Sequence, residues 1–218
     1  MNARDHWDSI YLSSADEALG WTQPEPLMSL RLIGESCATG RVLDVGGGRS
    51  ILAERLLDQG YSVSVLDISA AALTGARAQM GAKANRIVCI VADVTALPRL
   101  FACDVWHDRA VFHFLTAPED RLAYKELLIR VVAVGGHVVI GTFALDGPSR
   151  CSELDVRRYD GAMLAAELGP QFTLLRSEPE VHLTPAGNRQ SFQFSLFRRV
   201  PLLYAPQDKI AERILDAL

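Results

Sequence analysis

The feature that most constrains the fold is a repeated alternation of short, nearly apolar runs with segments of helical spacing. The apolar runs are Arg41 to Val45, Ser62 to Asp67, Arg86 to Ala92, Asp104 to His107 and His137 to Phe143. The segments between them that predict helices are Ser50 to Gln59, Ser69 to Met80 and Pro118 to Val134, and each is followed by a glycine. Strands that are apolar on both faces are typical of a parallel sheet covered by crossover helices on both sides. The sequence therefore predicts an α/β fold with a doubly wound sheet.

The last third of the chain has a different pattern. The segments Phe172 to Leu183 and Ser191 to Arg199 flank the turn sequence Thr184 to Asn188, which predicts an antiparallel hairpin that extends the sheet. We expect one or two helices in residues 5–37 and another helix in the tail after Pro201. The chain thus divides into an N-terminal helical region (1–37), a main domain (38–200) and a helical tail (201–218), with no linker between separate domains.

Composition narrows the classes of function. The 218 residues are 49% hydrophobic, and 22 basic against 26 acidic residues give a net charge of −4, so we expect no nucleic-acid partner. The four cysteines lie far apart, with neither disulfide-scaffold nor metal-ligand spacing, which predicts a reducing cytoplasmic location and no metal. The N-terminus lacks the pattern of a secretory signal, and charged residues and glycines interrupt the most apolar stretch, so we expect no membrane association.

A glycine-rich turn follows the first predicted strand and precedes a helix. Gly46, Gly47 and Gly48 come directly after Val45, so the backbone there can approach a ligand closely. The Lys-Ser/Thr pair of a phosphate-binding loop is missing. A dinucleotide fingerprint requires a small residue at position 51, which is Ile51 here, so a nicotinamide cofactor is disfavoured.

Acidic residues end three of the predicted strands. Asp44, Asp67 and Asp93 would face one crevice, because ligands of doubly wound sheets bind outside the carboxyl ends of the strands. Asp67 is placed to accept hydrogen bonds from both hydroxyls of a ribose, Asp93 from an adenine amine, and Asp44 from a cationic group. The alternative for each is a helix N-cap, and Asp67, just before Ser69, fits that role as well.

These residues resemble the motifs of class I S-adenosylmethionine-dependent methyltransferases. The run LDVGGG, which includes Asp44 and Gly46 to Gly48, is similar to the family's first motif. The resemblance further implies that Asp67 with Ile68 binds the ribose and that Asp93 with Val94 binds the adenine of S-adenosyl-L-methionine, which leaves as S-adenosyl-L-homocysteine. It also implies a Rossmann-like sheet of seven strands, mostly parallel, with one antiparallel strand in the C-terminal hairpin.

Two further segments carry the resemblance. In the segment that follows the fourth strand, the family places His107, Asp108 and Arg109 at the methionine end of the cofactor, and His113 near the acceptor. The N-terminal sequences WDSIY and GWTQ resemble the family's mobile cap. This implies that residues 1–37 cover the cofactor site, with Tyr11 and Trp21 closing over the cofactor. Each of these side chains also has a purely structural alternative: packing, a local ion pair or a hydrogen bond that holds a loop.

The resemblance implies a methyltransferase acting by in-line displacement, in which positioning supplies much of the rate. If a base is needed, the candidates are His113, His107 and Tyr11. The short cap and hairpin favour a small-molecule acceptor and a monomer or homodimer. Protein lysine or amine methylation and a non-catalytic S-adenosylmethionine-binding module remain alternatives.

Overall fold

The computed structural model describes residues 2–13 and 19–201. Strands of the main sheet are β1 (Arg41–Val45), β2 (Ser62–Asp67), β3 (Val88–Val91), β4 (Cys103–Arg109), β5 (Val132–Phe143), β8 (Phe172–Leu183) and β9 (Arg189–Arg199), and a separate small hairpin comprises β6 (Arg150–Cys151) and β7 (Leu154–Asp155). Helices are α1 (Ala3–Ser13), α2 (Leu27–Ser36), α3 (Leu52–Asp58), α4 (Ala70–Met80), α5 (Pro118–Val131) and α6 (Gly161–Leu168). The predicted tail helix lies outside the described residues.

The main sheet has seven strands in the order β3-β2-β1-β4-β5-β9-β8. Strands β1 to β5 pair in parallel, and β9 pairs antiparallel with both β5 and β8. The predicted α/β class, the seven strands and the C-terminal antiparallel hairpin are confirmed. Successive connections run outward from β1 to β3 and then return to β4 on the other side of β1, so the order of strands reverses between β1 and β4. A crevice at such a reversal is where doubly wound sheets bind ligands.

Alternating strand residues fill two separate cores, one on each face of the sheet. Trp106 and Val138 pack with α5 and α6 on one face, while Val105 and Val139 pack with α2 and α3 on the other. Both cores consist of buried side chains, which explains why β1, β2 and the end of β5 carry apolar residues on both faces.

Most predicted boundaries agree with the structure to within two residues, but α5 is shorter than expected. The helix ends at Val131, and β5 begins at Val132 instead of His137. Cys103 pairs with Val132 whereas Val105 pairs with His137, so the residues between form an irregular bulge. Gly135, with a φ of 86°, lies in this bulge and does not end the helix.

Candidate active site

Two cavities open at the carboxyl ends of β1, β2 and β4. The first has a volume of about 440 Å³ and the second of about 300 Å³. Tyr11, Trp21, Gly46 and Arg109 line both, so these four residues lie at the boundary between the cavities.

The glycine turn is packed too closely for side chains. Gly46 has a φ of 66°, and a Cβ there would lie 2.0 Å from Cγ2 of Val111. Gly48 has a φ of 54°, and a Cβ there would lie 2.4 Å from the hydroxyl of Tyr11. A Cβ at Gly47 would come within 2.6 Å of Oδ2 of Asp44. All three positions therefore require glycine, which lets the turn follow the cavity wall.

Asp67 holds the turn from the end of β2. Its Oδ2 accepts a hydrogen bond from the backbone N–H of Gly48 (2.9 Å), and its Oδ1 accepts one from that of Ser69 (2.8 Å). Ser69, not Asp67, is the N-cap of α4, because its hydroxyl accepts from Ala72. Burial raises the pKa of the Asp67 carboxyl to about 6. Each carboxylate oxygen retains a lone pair for a ligand in the second cavity, which Asp67 lines.

The far side of the second cavity is formed by residues that follow β2 and β3. Ile68, Asp93 and the buried Val94 all line it. Asp93 lies two residues beyond the strand, and its Oδ1 accepts hydrogen bonds from the backbone N–H (2.8 Å) and the hydroxyl (2.7 Å) of Thr95. Its other carboxylate oxygen is available to a donor in the cavity. The structure thus brings together Asp67, Ile68, Asp93 and Val94, as the sequence predicts.

A buried chain of hydrogen bonds crosses the first cavity. Oδ1 of Asp44 lies 2.7 Å from Nδ1 of His107, whose Nε2 lies 2.9 Å from the hydroxyl of Ser29 on α2. All three side chains are almost completely buried, and all line the cavity. Oδ2 of Asp44 is buried and has no hydrogen-bond partner. A buried acceptor without a partner favours a ligand that places a hydrogen-bond donor or a positive charge next to Oδ2 of Asp44.

Asp108 forms all its hydrogen bonds with groups of the protein's own turn and core. Its carboxylate accepts hydrogen bonds from the backbone N–H groups of Val111 and Phe112 and from the hydroxyl of Tyr124 (2.7 Å). Burial raises the pKa of this carboxyl to about 6. Asp108 lines neither cavity and forms no ion pair with Arg109 among the described residues. The side chain instead fixes the turn that places Val111 against Gly46.

Arg109 extends in the other direction, toward the hairpin of β8 and β9. Its Nη1 donates to the carbonyl of Trp21 (2.9 Å), and its guanidinium lies 4.7 Å from the ring centre of Phe192. Its Nε and Nη2 are buried without a hydrogen-bond partner. Burial lowers the pKa of Arg109 to about 10, so the side chain remains positively charged at neutral pH.

The N-terminal region covers these groups with aromatic side chains. Trp21 makes edge contacts with Trp7 and Tyr11, and Trp7 also packs against Phe114. Asp8 attaches α1 to the start of α4, because its carboxylate accepts a hydrogen bond from the hydroxyl of Ser69, the N-cap of α4 (2.6 Å). The sequence predicts one or two helices in this region, and the structure has two, α1 and α2; residues from both parts of the region line the cavities.

Comparison with known proteins agrees with this geometry. The family model for the methyltransferase domain matches residues 42–136. A curated relative, the 2-heptyl-1-hydroxyquinolin-4(1H)-one methyltransferase of Mycobacteroides abscessus, is 28% identical over 173 residues, which cover 72% of this chain and 74% of the relative. The chain carries a class I S-adenosylmethionine-dependent methyltransferase domain.

Solved structures with a similar fold extend beyond the matched domain. A structure from work on the conversion of a disulfide bond into a thioacetal during echinomycin biosynthesis has a TM-score of 0.74, at 20% identity and 98% coverage of both chains. The 1,6-didemethyltoxoflavin-N1-methyltransferase of Burkholderia thailandensis has a TM-score of 0.65, at 17% identity, 91% coverage of this chain and 84% of that one. The fold similarity therefore includes the helical N-terminus and the hairpin.

Two of the three candidate bases line a cavity. Tyr11 and His107 do, whereas His113 is fully buried and lines neither cavity. Nδ1 of His113 accepts from the backbone N–H of Phe143 (3.3 Å), and its ring packs between Phe114 and Phe143. Burial lowers the pKa of His113 to about 3. His113 therefore lines neither cavity, and its surroundings match the structural alternative.

Other residues of the site were not found from the sequence. Ser29 lies in a helix with no motif, and Tyr124 is 16 residues from its partner Asp108. Glu180 of β8 receives a hydrogen bond from Gln23 (3.4 Å), and only the sheet pairing brings this strand near Arg109. No helix in residues 2–13 and 19–201 has the length and apolarity needed to span a membrane.

Proposed function

We propose that this methyltransferase transfers the methyl group of S-adenosylmethionine to a small-molecule acceptor. The observation that carries the proposal is the convergence of Asp44, Asp67 and Asp93 on two cavities that share Gly46 of the glycine turn as part of their walls. The site also fits the cofactor at Asp44, whose Oδ2 is buried beside the glycine turn without a hydrogen-bond partner and suits the ammonium group of an amino acid.

Distinct parts of the cofactor would bind to distinct residues. We assign the adenine to Asp93 and Val94, the ribose to Asp67 and the adjacent Ile68, and the amino acid end to Asp44 and the backbone of the glycine turn. Tyr11 and Trp21 would cover the bound cofactor and exclude water, since both lie at the boundary of the cavities. Asp108 would contribute only through the turn that it fixes.

The bound cofactor supplies a methyl group on a positively charged sulfur, so an acceptor held in line needs little further activation. Of the candidate bases, His107 and Tyr11 remain, because each reaches a cavity. His107 is already hydrogen-bonded to Asp44 and Ser29, an arrangement that orients its ring. We propose that His107 mainly positions Asp44 and that proton removal by a side chain is secondary.

The size of the first cavity, which would also hold the amino acid end of the cofactor, favours a small acceptor. A volume of about 440 Å³ lies within the range of small-molecule sites. The curated relative acts on a hydroxyquinolone, and the similar structure from Burkholderia thailandensis contains 1,6-didemethyltoxoflavin. Both names describe flat nitrogen heterocycles, and we infer that this chain takes acceptors of comparable size.

Titration calorimetry with S-adenosylmethionine, S-adenosylhomocysteine and NAD tests the cofactor assignment. We expect the first two to bind and NAD not to bind. Transfer of a labelled methyl group to N-hydroxyquinolones, phenols, thiols and amines then tests the acceptor class, with a lysine-containing peptide as comparison. Binding of NAD alone would contradict the cofactor, and transfer only to the peptide would contradict the small-molecule acceptor. Cofactor binding with no transfer to any acceptor would favour a non-catalytic binding module.

A further inference from the structure

We propose that Arg109 selects acceptors that are weak acids, such as a phenol or an N-hydroxy heteroaromatic, by binding them as the oxyanion. This inference rests on the proposed methyl transfer and assigns its acceptor class. It makes Arg109 part of the acceptor site, whereas the family resemblance implies that it lines the methionine end of the cofactor.

The hydrogen bonding of Arg109 is incomplete. Only Nη1 has a partner, the carbonyl of Trp21, while Nε and Nη2 are shielded from solvent without any partner. Among the described residues, no carboxylate lies within 4 Å of this guanidinium. By contrast, Arg31, Arg41 and Arg55 form salt bridges and are partly exposed to solvent. Buried N–H groups of a charged side chain are costly unless an acceptor binds to them. Nε and Nη2 form one edge of the guanidinium, which matches an oxyanion.

The titratable groups that face Arg109 come from β6, β8 and the turn after β4. Glu180 of β8 is the acidic neighbour that acts on it, and burial raises the pKa of Glu180 itself. His182 of β8 and His113 face the same charge, and burial, with a smaller contribution from the positive charge of Arg109, lowers the pKa of both. Cys151 of β6 is also nearby, and burial raises the pKa of its thiol. Glu180 is thus the one acid among these groups, and it makes no hydrogen bond to Nε or Nη2 of Arg109, so that edge of the guanidinium is left open to an anionic ligand.

Arg109 lines both cavities, and its guanidinium extends toward the end of the site that is formed by the hairpin. Its guanidinium stacks on Phe192 of β9, on the hairpin side of the sheet, whereas Asp67 and Asp93 follow β2 and β3 on the opposite side of β1. The aromatic rings of Trp21 and Tyr11 lie beside the same boundary between the cavities. A flat aromatic acid thus has rings to pack against and a cation for its oxygen.

Binding as an anion removes the need for a dedicated base. The acceptor releases its proton to solvent, and its oxygen then carries the electron pair that forms the bond to the methyl carbon. The pair of the broken carbon–sulfur bond remains on sulfur, and the positive charge of Arg109 balances the oxyanion until transfer. This agrees with the absence of a cavity-facing, unengaged histidine among the described residues.

The test uses 4-nitrophenol as a chromogenic weak acid, bound to the full chain that is saturated with S-adenosylhomocysteine. Absorbance of the phenolate, followed against pH, gives the ionisation midpoint of the bound probe. We expect the midpoint to fall by at least about one pH unit, a tenfold change in acid dissociation constant. Arg109→Gln should abolish this decrease, Arg109→Lys should retain part of it, and Arg198→Gln, at an exposed arginine of β9, should leave it unchanged.

A second measurement separates this role from binding of the cofactor's carboxylate. We compare the affinities for S-adenosylhomocysteine and for methylthioadenosine, which lacks the amino acid. If Arg109→Gln weakens only the first, Arg109 binds the cofactor and the inference is wrong. A bound probe with an unchanged midpoint, or a probe that does not bind, would also overturn it. Failure of the wild-type protein to bind S-adenosylhomocysteine would instead overturn the proposed function on which it rests.

Discussion

Replacing Asp67 by Asn should weaken cofactor binding strongly without unfolding the protein. The carboxylate accepts from Gly48 and Ser69 through different oxygens and retains one lone pair on each for the ribose. Asn has a single acceptor oxygen and no charge, so charge-assisted bonds to the ribose are lost. We expect a loss of about 2 to 3 kcal/mol, or roughly 30- to 150-fold in affinity.

The same substitution should remove a pH dependence. With a pKa of about 6 for Asp67, only about one carboxylate in ten is ionised at pH 5. We therefore expect the wild-type affinity for S-adenosylhomocysteine, measured by calorimetry, to fall about tenfold between pH 7.5 and pH 5. The affinity of Asp67→Asn should stay constant over this range, because the amide does not titrate there.

Linkage predicts that this variant stays folded. The pKa of Asp67 in the folded protein, about 6, lies above its value in an unfolded chain, so the folded state retains a proton that the unfolded state releases between about pH 4 and pH 6. Ionisation at neutral pH therefore lowers the free energy of unfolding by about 3 kcal/mol. Removing the charge recovers this amount and offsets the lost backbone hydrogen bond, about 1 to 3 kcal/mol.

The control is Glu126→Gln, at an exposed carboxylate on α5 whose side chain is 56% accessible. It should change neither the affinity nor its dependence on pH. If Asp67→Asn binds S-adenosylhomocysteine within twofold of the wild type while its melting temperature is maintained, the ribose assignment is wrong. If the affinity for S-adenosylhomocysteine depends on pH equally in the wild type and in Asp67→Asn, the Asp67 carboxyl is not the group responsible.

Three further substitutions test the supporting structure. Gly46→Ala should lower the free energy of unfolding by about 2 kcal/mol or more, because of the positive φ and the contact with Val111, and Val111→Ala should partly restore it in a double-mutant cycle. The buried imidazole of His113, with a pKa of about 3, stays neutral at pH 5, whereas the same imidazole in the unfolded chain binds a proton. This difference should decrease the free energy of unfolding of the wild type by about 2 kcal/mol when the pH is lowered from 7.5 to 5. His113→Gln should not show this decrease when both proteins are unfolded by denaturant. Tyr124→Phe, which removes hydrogen bonds to Asp108 and Trp106, should cost about 2 to 3 kcal/mol in denaturant unfolding yet leave calorimetric affinity for S-adenosylhomocysteine within about twofold. A large loss of affinity in Tyr124→Phe, or a pH-independent effect of His113→Gln, would contradict these roles.

Local patterns were sufficient to predict the parallel part of the sheet. The bounds of β1 and β2 match the prediction because strong apolar runs are bounded by a glycine turn and by acids. The start of β5 was wrong because Val132 to Val134 continue a helical spacing, and only pairing with β4 shows that they form a strand.

Side-chain directions were harder to predict than positions. His107, Asp108 and Arg109 are adjacent, and the sequence treats them as one group at a strand end. In the structure His107 and Arg109 line cavities, while Asp108 projects to the opposite face. Period-two alternation along β4 accounts for this division. Ala110, with a φ of 72°, changes the chain direction directly afterwards, and no residue-level signal predicts that conformation for alanine.

Strand β9 comes last along the chain of all the strands in the sheet, yet it occupies an interior position between β5 and β8. Phe192, Phe194 and Leu196 belong to the core beside α2 and α3, so this core cannot close until they have been synthesised. The pairing of His137 with Arg198 joins residues far apart in sequence, which slows its formation. During translation, one edge of β5 therefore remains unpaired until β9 has been synthesised. In this interval the nascent chain is most accessible to chaperones and most prone to misassembly.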